Sequence, residues 1–279
     1  MDMYYNGEHS VKFGNFRVVV DNGVARLDDT GFVDAWTKWG LVPKSLPVIP
    51  PPPVVQKQVE VYGANSVIDL TEVPRGFPTY QNRTGSLTFY VDGSDKDFDW
   101  VKVLNSVTDY LHGFSMKMML DDDRANYYYG RFSVDGWSAG SHINEISIGY
   151  DLDPYKYSIF STAEPWLWNP FDFEHDIIPV FQNEFIDIDV STTTYKIWTS
   201  DVCGRMPVIP KFTLRESISG VDIYIYNSVR GEVSETVHIS NGDTEDVRLE
   251  LCTPKPGSYS EIHFSGDGLL TIDFRPGRL

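Results

Sequence analysis

Forty acidic side chains, six histidines and two cysteines are the groups in this chain that could do chemistry, and their spacing argues against most of it. The histidines (His9, His112, His142, His175, His238, His263) are scattered, and no His-x-x-x-His pair offers the same-face spacing of a helical metal site. Neither a Gly-x-Ser-x-Gly elbow nor a phosphate-cradling glycine loop is present. Glycoside hydrolysis needs two carboxylates at a set separation, and nothing singles out such a pair among so many acids. Asp121-Asp122-Asp123 has oxygen ligands for calcium but lacks the spaced ligands and glycine of a dedicated loop, so a solvated hairpin tip is the favoured reading. The chain is therefore expected to be no enzyme, with no catalytic residue, no metal site and no cofactor. Cys203 and Cys252 fit no zinc spacing and read as buried free thiols, with a disulfide between them as the alternative.

Aromatic and arginine positions are more informative. Trp166, Trp168, Phe171 and Phe173 fall within eight residues, beside Pro165 and Pro170. They read as a platform on which sugar rings stack or, favoured by their boundary position, as a wedge between domains. Trp198, in a candidate strand, is the other sugar contact or else core. Arg83 and Arg131 lie in strand-rich stretches, where a buried guanidinium calls for a carboxylate. Asp69, Glu72, Asp151 and Asp153 are the candidate partners, inside the domain or across a subunit boundary.

The bulk of the sequence bounds the rest. At 279 residues, 41% hydrophobic and 23% charged, the chain is globular in composition and long enough for two domains. Net charge is −17, and both halves are acidic: 13 Lys and Arg against 21 Asp and Glu up to Tyr155, then 10 against 19. Such a surface repels phosphate backbones, so sequence-specific nucleic-acid binding is not expected. No window approaches the roughly 18 apolar residues of a membrane span, so no membrane insertion is expected, and the polar start of the chain does not read as a secretory leader.

Patterning predicts the elements. Strands are expected over 12–20, ending in the turn Asp21-Asn22-Gly23, over 59–62, over 86–91 with Leu87, Phe89 and Val91 on one face, over 116–120, over 127–134 and over 143–151 with Ile146, Ile148 and Tyr150 on one face. One helix is expected over 98–112, capped from 94–97 and stopped at Gly113, with Phe98, Val101, Leu104, Val107 and Leu111 as its apolar stripe. The segment 46–55 is half proline and reads as a stiff extended connector holding the N-terminal segment against the domain. Past residue 160 the texture becomes all-β, with eight short strands expected (184–190, 195–199, 211–215, 221–226, 235–239, 247–251, 261–264, 269–274) and turns at Asn241-Gly242-Asp243 and Ser265-Gly266-Asp267-Gly268. The predicted fold class is mainly β: residues 1–160 an α+β domain of antiparallel sheets, one helix and an extended hairpin, residues 161–279 an all-β sandwich.

Five motifs recur here in a set order: Trp36-Thr37-Lys38-Trp39-Gly40-Leu41-Val42-Pro43, Ile68-Asp69-Leu70-Thr71-Glu72, Tyr80-Gln81-Asn82-Arg83-Thr84-Gly85-Ser86, Tyr129-Gly130-Arg131-Phe132-Ser133-Val134 and Asp151-Leu152-Asp153-Pro154-Tyr155. Together, over residues 30–160, they resemble the distal tail proteins (Dit family) of long-tailed siphophages. That resemblance implies a virion protein at the distal end of the tail, made in the bacterial host cytoplasm. It implies a homohexameric ring built by the N-terminal domains, joining the tail tube protein to the tail-tip or tail-associated protein of the baseplate. Asp69, Glu72, Arg83, Arg131, Asp151 and Asp153 are the motif residues it offers for the interface. It also implies a galectin-like or jelly-roll second domain that serves as a binding or docking module for a receptor-binding protein or host cell-wall glycan. The alternative function is thus a carbohydrate-binding module that recognises the host surface through that domain, with Trp166, Trp168 and Trp198 as contacts.

Overall fold

A computed structural model describes residues 10–13, 32–63, 65–91, 99–139, 144–164, 184–190, 194–198, 205–255 and 257–279. Contacts divide the chain into two units. Among the described residues, those up to Pro53 together with Gln81–Ile159 form the first, and Val54–Tyr80 together with those from Phe160 onward form the second. By contacts, residues 54–80 group with those from Phe160 onward.

The first unit opens with β1 (Ser10–Phe13). Asp34 then starts the short helix α1 (Ala35–Trp39), its carboxylate accepting the Thr37 N–H at 2.8 Å. Gly40, at φ 67°, ends the helix in the left-handed region that a side chain would disfavour. This five-residue helix joins the one expected from the sequence. Strand β2 (Leu41–Pro43) follows; β3 (Gln58–Val59) and β4 (Ile68–Asp69) fall in the second unit. Then come β5 (Arg83–Val91), α2 (Trp100–Leu111), β6 (Ser115–Leu120), β7 (Asn126–Ala139), β8 (Asn144–Leu152) and β9 (Lys156–Ser158).

These strands line up as β1-β6-β7-β8-β5-β2, with β9 beside the start of β7. Every pair is antiparallel except β1 with β6. Alternation does the sorting: Leu87, Phe89 and Val91 of β5 and Ile146, Ile148 and Tyr150 of β8 share the core with Met116 and Met118 of β6. Helix α2 covers this face. Asp99 caps it, taking the Val101 and Lys102 N–H groups at 3.1 and 3.3 Å, so the cap lies two residues beyond the expected stretch. Its core side runs Trp100, Val103, Leu104, Val107, Leu111, whereas Val101 stands 56% exposed. Leu104, Val107 and Leu111 lie on the core side as expected, while in the first turn Trp100 and Val103 face the core and Val101 does not.

Beside the β3–β4 ribbon, the second unit holds two larger sheets. Strands β10 (Ile188–Asp189), β11 (Thr194–Trp198), β12 (Lys211–Arg215), β13 (Val221–Asn227), β14 (Glu232–Val233), β15 (Val237–Ile239), β16 (Gly242–Glu245), β17 (Tyr259–Gly266) and β18 (Leu269–Asp273) build it. One sheet runs β10-β18-β12-β16; the other runs β11-β17-β13, with β14 and β15 both on β13. Phe212, Leu214, Leu270 and Ile272 from the first meet Val221, Ile223, Ile225, Ile262 and Phe264 from the second in one apolar core, the arrangement of a sandwich. Two neighbouring expectations fail. Asn241-Gly242-Asp243 enters strand β16 instead of turning, and 247–251 supplies only a bridge at Leu251. Leu249 and Leu251 are buried and Val247 exposed, so the apolar residues of that stretch do not alternate toward one sheet face.

Candidate functional site

Three of the motifs, separated by about twenty to seventy positions in sequence, come into register on adjacent strands. Arg83, Leu152 and Gly130 make one row across β5, β8 and β7; Thr84, Asp151 and Arg131 the next; Gly85, Tyr150 and Phe132 the third. The glycines are explained by that contact. A Cβ at Gly130 would sit 2.2 Å from the Asp151 carbonyl oxygen, and one at Gly85 would sit 2.4 Å from the Tyr150 hydroxyl. Backbone and ring approach too closely there for any side chain.

Arg83 is the centre of this row and is only 3% exposed. Its Nε donates to the Pro154 carbonyl at 2.9 Å and one terminal nitrogen to the Pro50 carbonyl at 2.8 Å. The guanidinium carbon lies 5.5 Å from the centre of the Tyr128 ring. Burial pushes the arginine's pKa down, with Tyr128 and Tyr150 acting the other way. Among the described residues no carboxylate pairs with it, so the expected ion pair is replaced by carbonyls. Its planar fork reaches two separate carbonyls at once, while the second terminal nitrogen is buried with no hydrogen-bond partner among the described residues. Arg83 thereby ties the proline-rich segment to the Asp-Pro-Tyr turn. That segment also takes the Gln81 N–H on the Pro53 carbonyl and gives the Lys44 N–H to Thr88, so 41–53 lies along the β5 edge as a strip poor in donors.

The remaining candidates disperse. Arg131 is exposed and donates to the Gly113 carbonyl, bracing the end of α2. Asp151 stands beside it in register and accepts from the Asn82 amide at 2.9 Å. Asp153 accepts the Tyr157 hydroxyl at 2.8 Å; burial and then this carboxylate push the tyrosine's pKa up. Asp69 and Glu72 belong to the second unit. Asp69 folds back on Thr71, whose side chain and then N–H (2.9 Å) lower the carboxylate's pKa, and Glu72 meets Lys255 at 3.7 Å. Trp166 and Trp168 lie outside the described residues. Trp198 is paired with Tyr259 at the end of β11.

The acid run at 121–123 differs most from expectation. Asp121 is 5% exposed and lies in a buried charge cluster: Lys12 reaches Asp34 at 3.1 Å and Asp121 at 3.9 Å, and Arg124 pairs with Asp121. Asp123 pairs with Lys156 and accepts from Asn126. Asp34 both caps α1 and holds Lys12, so one carboxylate locks helix and β1 together. The sequence gives no signal of this burial, because Lys12 falls between Val11 and Phe13, where alternation places a polar residue. Cys252 is a buried free thiol, and burial pushes its pKa up to about 11.

In the second unit, β3 and β4 form a two-stranded ribbon exposed on every side. Val59, Val61, Tyr62, Val67 and Ile68 all face solvent along it. Its base is closed by Leu70 N–H to the Lys57 carbonyl and Lys57 N–H to the Thr71 hydroxyl, which gives the Ile68–Glu72 motif a local role.

No family profile matches the sequence, and no curated protein sequence matches it. Its fold does have a solved counterpart. The crystal structure of SPP1 Dit (gp 19.1), described as a paradigm of hub adsorption apparatus in phages infecting Gram-positive bacteria, matches with a TM-score of 0.56 at 12% identity, over 87% of this chain and 95% of that one. At that identity the likeness is one of fold, and it covers both units.

Proposed function

We propose that this chain is a structural protein of a phage tail, the component whose copies close into a hexameric ring at the distal end and join the tail tube to the tail-tip or baseplate proteins. The observation that carries this reading is the shared fold with a hub protein along nearly the whole of both chains. The geometry supports it in two ways. The motif residues serve packing and register, and they leave no gathered reactive group: Arg83, Asp153 and Asp69 are engaged by carbonyl, hydroxyl and amide groups of this same chain. The β3–β4 ribbon supplies a self-assembly surface. An isolated two-stranded ribbon is marginal in water, and five exposed apolar side chains on one are a contact surface awaiting a partner. A ring uses one surface patch on each copy against a different patch on the next, and closes when the rotation is right.

Light scattering on the purified protein, alone and mixed with its tail-tip partner, tests this: a particle near six times 31.7 kDa is expected. Replacing Val61 and Val67 by lysine is expected to leave the fold intact and reduce that mass to the monomer. Imaging of intact virions that places the chain away from the tube–tip junction would overturn the reading.

A further inference from the structure

Lys12, Asp34, Asp121 and Arg124 form one packed group in the first unit, arranged for more than ion pairing. Lys12 is 2% exposed and Asp121 5%, so water is largely excluded from both. Lys12 pairs with Met119 across β1 and β6, and two residues on the Asp121 N–H donates to the Phe13 carbonyl at 3.1 Å. The two side chains therefore rise from neighbouring segments bonded to each other. The lysine nitrogen lies 3.1 Å from Asp34 Oδ2 and 3.9 Å from Asp121 Oδ1. The shorter distance lies within proton-transfer reach; the longer is a non-bonded contact with the carboxyl group. Arg124 donates from Nε to the same Asp121 oxygen at 2.8 Å, and a terminal nitrogen bonds it as well. Asp34 is fixed by its cap on α1, through the Thr37 N–H. A buried amine, a carboxyl group whose charge a guanidinium neutralises, and a second carboxylate to carry protons are what amide condensation needs.

We propose that Lys12 and Asp121 join in an intramolecular isopeptide bond. Asp34 takes one proton from the Lys12 ammonium. The lone pair so freed attacks Asp121 Cγ, and the negative charge that collects on Oδ1 is held by Arg124. The bond from Cγ to Oδ2 then breaks. The proton on Asp34 and one of the two left on the attacking nitrogen leave with that oxygen as water, and the amide nitrogen keeps the last. Asp34 is a carboxylate again, and neither oxidant nor co-reactant is consumed. Burial favours the product, because a desolvated ammonium and carboxylate become a neutral amide. The fixed approach supplies the proximity that a free amine and carboxylate lack in water. The bond ties β1, a strand of four residues at the sheet edge, covalently to the end of β6. It needs neither a second copy nor a tail partner, so it stands or falls apart from the proposed assembly role.

Mass spectrometry of the full-length protein, folded and then denatured for the measurement, tests it. The intact mass is expected to fall below that of the sequence by one water molecule. Proteolytic digestion is expected to release a branched species that joins the peptide holding Lys12 to the peptide holding Asp121. Lys12→Arg, which keeps the positive charge, and Asp34→Asn, which keeps a capping oxygen, are expected to show their full sequence masses. A full sequence mass in the folded parent protein overturns the proposal, whatever the variants do. So does a deficit that persists in Lys12→Arg, a link that maps to Asp34 or to any pair other than Lys12 and Asp121, or a bond that forms as completely in Asp34→Asn.

Discussion

The two units bury different chemistry. Among the described residues, every fully buried charged side chain lies in the first unit: Lys12, Arg83 and Asp121. The buried polar residues of the second, such as Thr162, Asn227, Ser260 and Thr271, are all neutral. Thr162 shows the second style. Its hydroxyl accepts the Phe274 N–H at 2.8 Å and donates to the Ile272 carbonyl at 2.7 Å, stitching one strand end without any charge. The first unit has to seat segments that alternation alone does not place: a parallel edge strand, a five-residue helix and a proline strip. Buried ions are costly unless satisfied, so they accept one arrangement and reject near misses. The sandwich gains its order from apolar layers and strand register, and needs no such pins.

That contrast can be broken, beginning with the largest effect. Phe212→Ala, at the centre of the second core, is expected to cost about 4 kcal/mol, read as a lowered denaturant midpoint that does not change with salt. Asp121→Ala leaves Lys12 and Arg124 facing each other in a buried site and is expected to cost about 3 kcal/mol. Native-state hydrogen exchange should show that loss in β1, β6 and α1 while β13 and β17 keep their protection. Equal loss in both units would remove the distinction drawn above. Arg83→Lys is expected to cost about 2 kcal/mol, because an ammonium cannot hold the Pro50 and Pro154 carbonyls together. If instead it unfolds as the parent does, the guanidinium is not the pin of the proline strip.

Acid provides a finer probe. Asp246, bonded by the Arg248 side chain and backbone, has its pKa lowered to about 2; Asp243, held by Lys211 and Thr213, and Asp267, held by the Ile218 N–H and Ser219, are also lowered. A carboxyl whose folded pKa lies below its unfolded value of about 3.9 stabilises the fold above that value and loses the contribution as pH falls through the folded pKa. The second unit should therefore weaken between about pH 4 and pH 2. The smallest expected change is in Asp267→Asn. The Ile218 and Ser219 amides should exchange faster at pH 7 and lose their acid dependence, with the global midpoint almost unmoved. Unchanged exchange would mean that the 216–220 loop is held by Asn241 and Ser217 alone.

Much of this was legible. The 86–91 and 143–151 strands were evident from period-two alternation, because Leu87, Phe89 and Val91 and Ile146, Ile148 and Tyr150 each face the core, whereas in 116–120 and 127–134 adjacent residues such as Met118 and Met119 or Tyr127 and Tyr128 are both buried. The helix over 100–111 was evident from its stripe: Leu104, Val107 and Leu111 face the core as expected, and the difference is confined to the first turn, where Trp100 and Val103 pack inward and Val101 is exposed. Strand β16 was hidden because Gly242 and Asp243 carry turn chemistry, and the pairing of Phe212 with Thr244 overrides it. The carbonyl partners of Arg83 were not legible, since a carbonyl has no sequence signature.

What the sequence determined by itself was local: which residues alternate, where chains turn, and that glycine and arginine sit at fixed places in ordered motifs. Those follow from backbone sterics and burial preference, which act over a few residues. Only the tertiary structure decided that Gly130, Arg83 and Leu152 meet in one row, that Asp121 is buried against Lys12, and that Tyr224 stacks on His263. Each of these depends on strand order and register between distant segments, and many orders are compatible with the same alternation. Close packing admits one of them, because a shift of a single residue would turn every core side chain out to water.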